Sequence, residues 1–111
     1  MPPLPEAIQT RLPELPALCG RFGVQRLELF GSAAGSGFDP ARSDADFIVD
    51  FGAGEQADLF ERYFGLNAAL AELFGRPVDL VMAGALRNPH FIAAVNRTRQ
   101  TLYARPVAEA A

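Results

Sequence analysis

Apolar and polar residues alternate over Val24-Gln25-Arg26-Leu27-Glu28-Leu29-Phe30, a period of two that predicts a strand with one face in a core. Residues Asp46 to Phe51 read as a second strand, and Val78-Asp79-Leu80-Val81-Met82 as a short third one. Between these two, Leu59, Tyr63, Leu66, Leu70 and Leu73 recur at spacings of three and four. That stripe predicts a helix from Gln56 to Phe74, with Gly75 as its stop. Phe91, Ile92, Val95 and Leu102 predict a last helix from Pro89 onward, frayed after Arg105-Pro106. Glu6 to Leu18 supplies one or two short helices, broken near Pro13 and Pro16. The run from Gly31 to Arg42 is rich in Gly, Ser, Ala and Pro. It opens with a helical turn and loops out at Gly35-Ser36-Gly37 and Asp39-Pro40. Strands and helices alternate, so the class is α/β with a small sheet. The expected division is a helical lead-in over 1–22, one folded domain over 23–104 and a loose tail over 105–111.

Composition narrows the possibilities. With 111 residues, half of them apolar, the chain can bury the core of one domain. No apolar run approaches the length of a membrane span. The start Met-Pro-Pro-Leu-Pro-Glu lacks the basic and apolar regions of a secretory signal. Cys19 is the single cysteine, so no internal disulfide can form. A cytoplasmic protein is expected. The net charge of −3 argues against general nucleic-acid binding, which needs a basic face. All ten basic residues are arginine, which excludes chemistry that needs a lysine, such as a P-loop or a Schiff base.

The candidate chemistry lies in the carboxylates. Side chains two apart on a strand share a face, so Asp44 and Asp46 present their oxygens together. Two like charges at that separation repel unless a cation lies between them. Hard oxygen donors favour Mg²⁺ or Mn²⁺. The Ser32 hydroxyl and the backbone amides at Gly31-Ser32 would face the same space, and a helix starting there is an anion site. A metal beside an anion site suits a nucleoside triphosphate. Against this stands the plain alternative of two solvated loop acids. Asp79 shifts the balance: it sits in an apolar strand that tolerates a carboxylate poorly without a partner, the alternative being a strand-end acid that points to solvent. Three carboxylates converging at one sheet edge are therefore expected. Asp50 shares the alternation but lies about 13 Å along the strand from Asp46, too far to join them. His90 reads as a capping or surface residue, and Cys19 as a small buried hydrophobe.

The order Leu29-Phe30-Gly31-Ser32, then Ser43-Asp44-Ala45-Asp46-Phe47-Ile48-Val49, then Gly75-Arg76-Pro77-Val78-Asp79-Leu80-Val81 resembles the minimal nucleotidyltransferases. These are small members of the DNA polymerase β-like superfamily. The resemblance spans about Val24 to Tyr103, and the stretch from Arg87 to Tyr103 is similar to that family's closing helix. It implies a palm-like domain, a small mixed sheet flanked by helices. It also implies that Asp44, Asp46 and Asp79 hold two Mg²⁺ ions, that Asp79 assists the incoming hydroxyl, and that Gly31 and Ser32 hold the triphosphate of ATP. The partner it implies is a HEPN-domain ribonuclease toxin, bound in a hetero-oligomer and receiving AMP on a tyrosine. The family pattern Gly-Ser-X-Ala-Arg-Gly is here Gly31-Ser32-Ala33-Ala34-Gly35-Ser36, without the arginine. Arg42 is the candidate substitute for that charge, and solvation in a loop is its alternative role. The departure keeps open a second reading, an antitoxin that neutralises its partner by contact alone. A small-molecule transferase is disfavoured because no second substrate domain is evident.

Overall fold

Four of residues 45–50 are apolar, and Ala45, Phe47, Ile48 and Val49 are buried on the two faces of a strand around which the fold is built. The structure, a computed structural model, describes residues 5–31, 45–52 and 58–105. Its element order is α1 (Glu6–Gln9), a 3-10 turn (Leu12–Glu14), α2 (Leu15–Arg21), β1 (Arg26–Phe30), β2 (Ala45–Asp50), α3 (Leu59–Phe74), β3 (Val78–Met82), α4 (Pro89–Thr98) and β4 (Gln100–Ala104). The four strands form one mixed sheet in the order β3-β2-β1-β4. β1 runs antiparallel to β2 and to β4, whereas β2 and β3 are parallel. The expected α/β architecture, a small mixed sheet flanked by helices, is the one observed.

The pleat divides the core. Leu27, Leu29, Ala45, Phe47, Val49 and Leu80 face α1, α2 and α3, where they meet Ile8, Leu15, Cys19, Leu66, Leu70 and Phe74. Phe74 stacks on Phe47 with centroids 5.6 Å apart. Burial pushes the Cys19 thiol up to about 12, so it packs as the expected small hydrophobe. On the other face, Phe30 and Ile48 are covered by Val95 of α4. Phe91 meets Phe30 edge-on at 5.8 Å. The first strand is thus covered on both faces and not on one, because α4 returns over the second.

Two elements differ from their sequence reading. The long helix begins at Leu59, since Asp58 is left-handed at φ 62° and cannot continue a right-handed helix; residues 56 and 57 lie outside the described residues. Its end is as read: Gly75 adopts φ 64°, and the Arg76 N–H closes on the Ala71 carbonyl at 3.2 Å. The last helix stops at Thr98, and residues 100–104 form β4. Leu102 follows Val95 by seven, which mimics a helical repeat, but the open edge of β1 offers a ladder that Thr101 and Tyr103 suit better. At the start of α4, Asn88 Oδ1 accepts from the His90 and Phe91 amides at 2.8 and 3.3 Å, with Pro89 in the first turn. The cap is Asn88, and His90 is exposed.

β3 is an edge strand, and α3 closes its outer side. The Pro77 carbonyl accepts from Ala45 N–H at 3.1 Å, so the carbonyls of Val78 and Leu80 point away from β2. Asn67 Nδ2 donates to Val78 at 3.4 Å, and the Tyr63 hydroxyl donates to Leu80. An edge satisfied in this way is a poor template for another strand.

β4 is fixed by one buried charge. Glu28 is 5% exposed and pairs with Arg99, with Arg26 3.7 Å away. An irregularity between Leu27 and Glu28 sets Thr101 opposite Glu28, where its hydroxyl donates at 3.2 Å. Burial raises the Glu28 carboxyl, but the Arg99 hydrogen bond and charge, the Thr101 hydroxyl and the Arg26 charge outweigh it and hold the group below its ordinary value. A carboxyl so depressed contributes stability above its unfolded pKa and loses it as pH falls through the folded one. Glu28→Gln should therefore lower stability at neutral pH by about 1–3 kcal/mol. It should also flatten the decline of stability below about pH 4.3, the ordinary glutamate value. Urea titrations at several pH values check both.

Candidate functional site

The sheet register assembles the site. Pairing of β1 with β2 sets Phe30 opposite Asp46, and pairing of β2 with β3 sets Asp46 opposite Asp79. Directly paired residues share a face, so both carboxylates stand on the Phe30 and Ile48 side, on strands about 4.8 Å apart. Asp46 is half-buried and Asp79 exposed. Two of the three predicted acids are therefore brought together. Asp44, Ser32 and Arg42 lie outside the described residues.

Asp79 is placed there for a different reason from the one its sequence context indicated. Its apolar neighbour Leu80 points into the core at 3% exposure, while Asp79 itself meets solvent at the sheet edge. An exposed carboxylate needs no partner to offset desolvation. Strand register, not burial, sets it beside Asp46.

Gly31 follows Phe30 directly and turns the chain at φ 75°, a conformation that favours glycine. A Cβ at this position would lie 2.5 Å from Oδ2 of Asp46. The absent side chain is what lets the backbone approach the carboxylate. The Gly31 N–H donates to Thr98 Oγ1 at 3.0 Å, at the end of α4. Gly31 thus packs its bare Cα against Asp46, with its amide already engaged. Asp50 shares the face of Asp46 but accepts from the Gly52 N–H at 2.8 Å and closes a turn at the far end of β2. The sequence reading did not single out Thr98; its place as the last residue of α4, two before a strand, was hidden once that helix was read through to Leu102.

The donor set fits a hard divalent cation: two carboxylates on paired positions, reached without a side chain at Gly31. Among the described residues no third histidine, cysteine, aspartate or glutamate joins them. Asp46 and Asp79 would hold such an ion, which when bound supplies charge neutralisation at a phosphoryl group. The protein's own part is to set Asp46 and Asp79 on paired strand positions, with Gly31 packed against Asp46.

Residues 15–106 match the nucleotidyltransferase domain family. The chain belongs to that family. A candidate protein adenylyltransferase of Methanocaldococcus jannaschii is 36% identical over 70 residues, 63% of this chain and 67% of that protein. The solved structure of a candidate minimal nucleotidyltransferase superposes with a TM-score of 0.67 at 32% identity, covering 86% of this chain and 92% of the other. The complex of a tri-AMPylated Shewanella oneidensis HEPN toxin with its minimal nucleotidyltransferase antitoxin gives a TM-score of 0.59 at 19% identity, over 87% of this chain and 72% of that one. At that identity the likeness is one of fold. The family match and the 32% identical structure establish the resemblance to minimal nucleotidyltransferases for this chain. No helix among the described residues is long and apolar enough to cross a membrane.

The contact between Gly31 and Asp46 in this nucleotidyltransferase can be tested by a double-mutant cycle. Gly31→Ala should cost about 1–2 kcal/mol from the left-handed backbone alone, and more from the clash with Asp46. In an Asp46→Ala background the clash disappears, so the same substitution should cost measurably less. Chemical denaturation of the four proteins checks the coupling, and equal costs in both backgrounds contradict it.

Proposed function

We propose that this nucleotidyltransferase is an antitoxin that transfers AMP from ATP to a tyrosine hydroxyl of a HEPN ribonuclease partner, releasing pyrophosphate. The observation that carries the reading is the register pairing of Asp46 with Asp79 beside the bare backbone of Gly31. The likeness to a protein adenylyltransferase and to an antitoxin bound to an AMPylated HEPN toxin supports the choice of acceptor.

In this reading Asp44, Asp46 and Asp79 hold Mg²⁺ or Mn²⁺. Asp79, exposed at the edge, is accessible to an incoming hydroxyl and receives its proton. Gly31 and Ser32 border the triphosphate, with Gly31 giving clearance and Ser32 its hydroxyl. Arg42 supplies the cationic charge that the family pattern places at the position of Gly35. The acceptor binds as a separate chain, making the working form a hetero-oligomer in the cytoplasm.

The departure at Gly35 favours one competing reading, an antitoxin that acts by contact alone. Intact-protein mass spectrometry separates the two. A HEPN partner incubated with this protein and Mg·ATP should gain one or more AMP groups. Asp46→Asn and Asp79→Asn should each lower transfer by about 10²–10³, the usual cost of one electrostatic contact to a transition state. Arg42→Ala should raise the KM for ATP. An unmodified partner that is still neutralised, by the wild type and by both Asn variants alike, leaves the contact-only account standing.

A further inference from the structure

We propose that Thr98 is a positioning residue for triphosphate binding, acting through the backbone of Gly31; this rests on the nucleotidyltransferase reading above. The geometry joins three parts of the molecule. Thr98 Oγ1, on the last residue of α4, accepts the Gly31 N–H at 3.0 Å across a separation of 67 residues. Gly31 in turn lies so close to Asp46 that a Cβ would come within 2.5 Å of its carboxylate. The next residue, Arg99, pairs with Glu28 on the same strand, β1, that runs into Gly31. The junction of α4 and β4 is therefore tied to β1 at two consecutive residues.

Each tie has a distinct consequence. The Glu28–Arg99 pair joins a buried carboxylate of β1 to a partly exposed arginine at the start of β4, which helps hold β4 in register. The Thr98 bond falls instead on the Gly31 amide, one residue past the end of β1. Gly31 in a left-handed conformation has more backbone freedom than any other residue type. A hydroxyl that holds its amide restricts that freedom and fixes Gly31 against Asp46. Gly31 is then held in place before nucleotide arrives, and ordering it costs less when binding occurs. The same bond occupies the Gly31 amide, so its effect on nucleotide is indirect.

Thr98→Val keeps the shape and removes the acceptor, whereas Thr98→Ser retains it. The net contribution of one hydrogen bond corresponds to roughly 3- to 10-fold in an equilibrium. Thr98→Val should raise the KM for Mg·ATP by about that factor, leave the KM for the acceptor protein unchanged and speed hydrogen exchange at the Gly31 amide. Thr98→Ser should restore both ATP KM and exchange. The inference is overturned if Thr98→Val keeps wild-type KM and wild-type exchange. It is equally overturned if both KM values shift together with melting temperature and serine fails to rescue, since that pattern marks general structural support. Wild-type protein that transfers no AMP sinks the functional reading itself, and this inference with it. Normal wild-type transfer with an indifferent Thr98→Val sinks this inference alone.

Discussion

The pairing of β2 between β1 and β3 is the constraint on which the rest depends. A strand's side chains alternate between faces, so a slip of one residue in either ladder would turn Asp46 into the core and bring Ala45 or Phe47 to the site. The hydrophobic set Ala45, Phe47 and Val49 prevents that slip, because all three are fully buried against the helical layer. Core packing on one face thus fixes the position of carboxylates on the other. The parallel pairing with β3 extends the arrangement to Asp79, and the antiparallel pairing with β1 delivers Gly31 at the same level.

The two sheet faces carry different loads. One is closed by α1, α2 and α3, with Leu66, Leu70 and Phe74 of α3 in the core. Among the described residues the other is only partly covered: Val95 of α4 packs on Phe30 and Ile48, while Asp46 is half-buried and Asp79 exposed. That partial cover is what makes a site possible, since a second complete layer would bury two like-charged carboxylates at high cost. α4 is held in turn by an asparagine cap at its start and by Thr98 and Arg99 at its end. The helix that shapes the open face is thereby anchored to the strand that enters the site.

Much of this was legible in the sequence, for reasons that can be named. The three central strands and α3 announce themselves through strong periodicity, and Gly75 through its place after an apolar stripe. Strand context and resemblance both single out Asp44, Asp46 and Asp79, of which Asp46 and Asp79 lie among the described residues on paired positions. Their juxtaposition depends on a parallel register that no local pattern encodes. Asp79 needs no partner despite its apolar segment, because alternation sends Leu80 inward and Asp79 to water, the strand-end alternative that the sequence also allows. β4 was misread because Val95 and Leu102 fall at a helical spacing, while its pairing with β1 is a long-range event. Thr98 went unnoticed for the same reason, since a hydroxyl contact 67 residues distant leaves no mark on its own neighbourhood.

The central claim is that strand register makes Asp46 and Asp79 one cation site. Electron paramagnetic resonance of Mn²⁺ titrated into the protein with a non-hydrolysable ATP analogue tests it most directly. Wild type should bind the ion, Asp46→Asn and Asp79→Asn should each weaken binding, and the double variant should lose less than the sum, as expected of ligands to a common ion. Variants that bind Mn²⁺ as tightly as wild type, or whose losses simply add, would contradict the shared site.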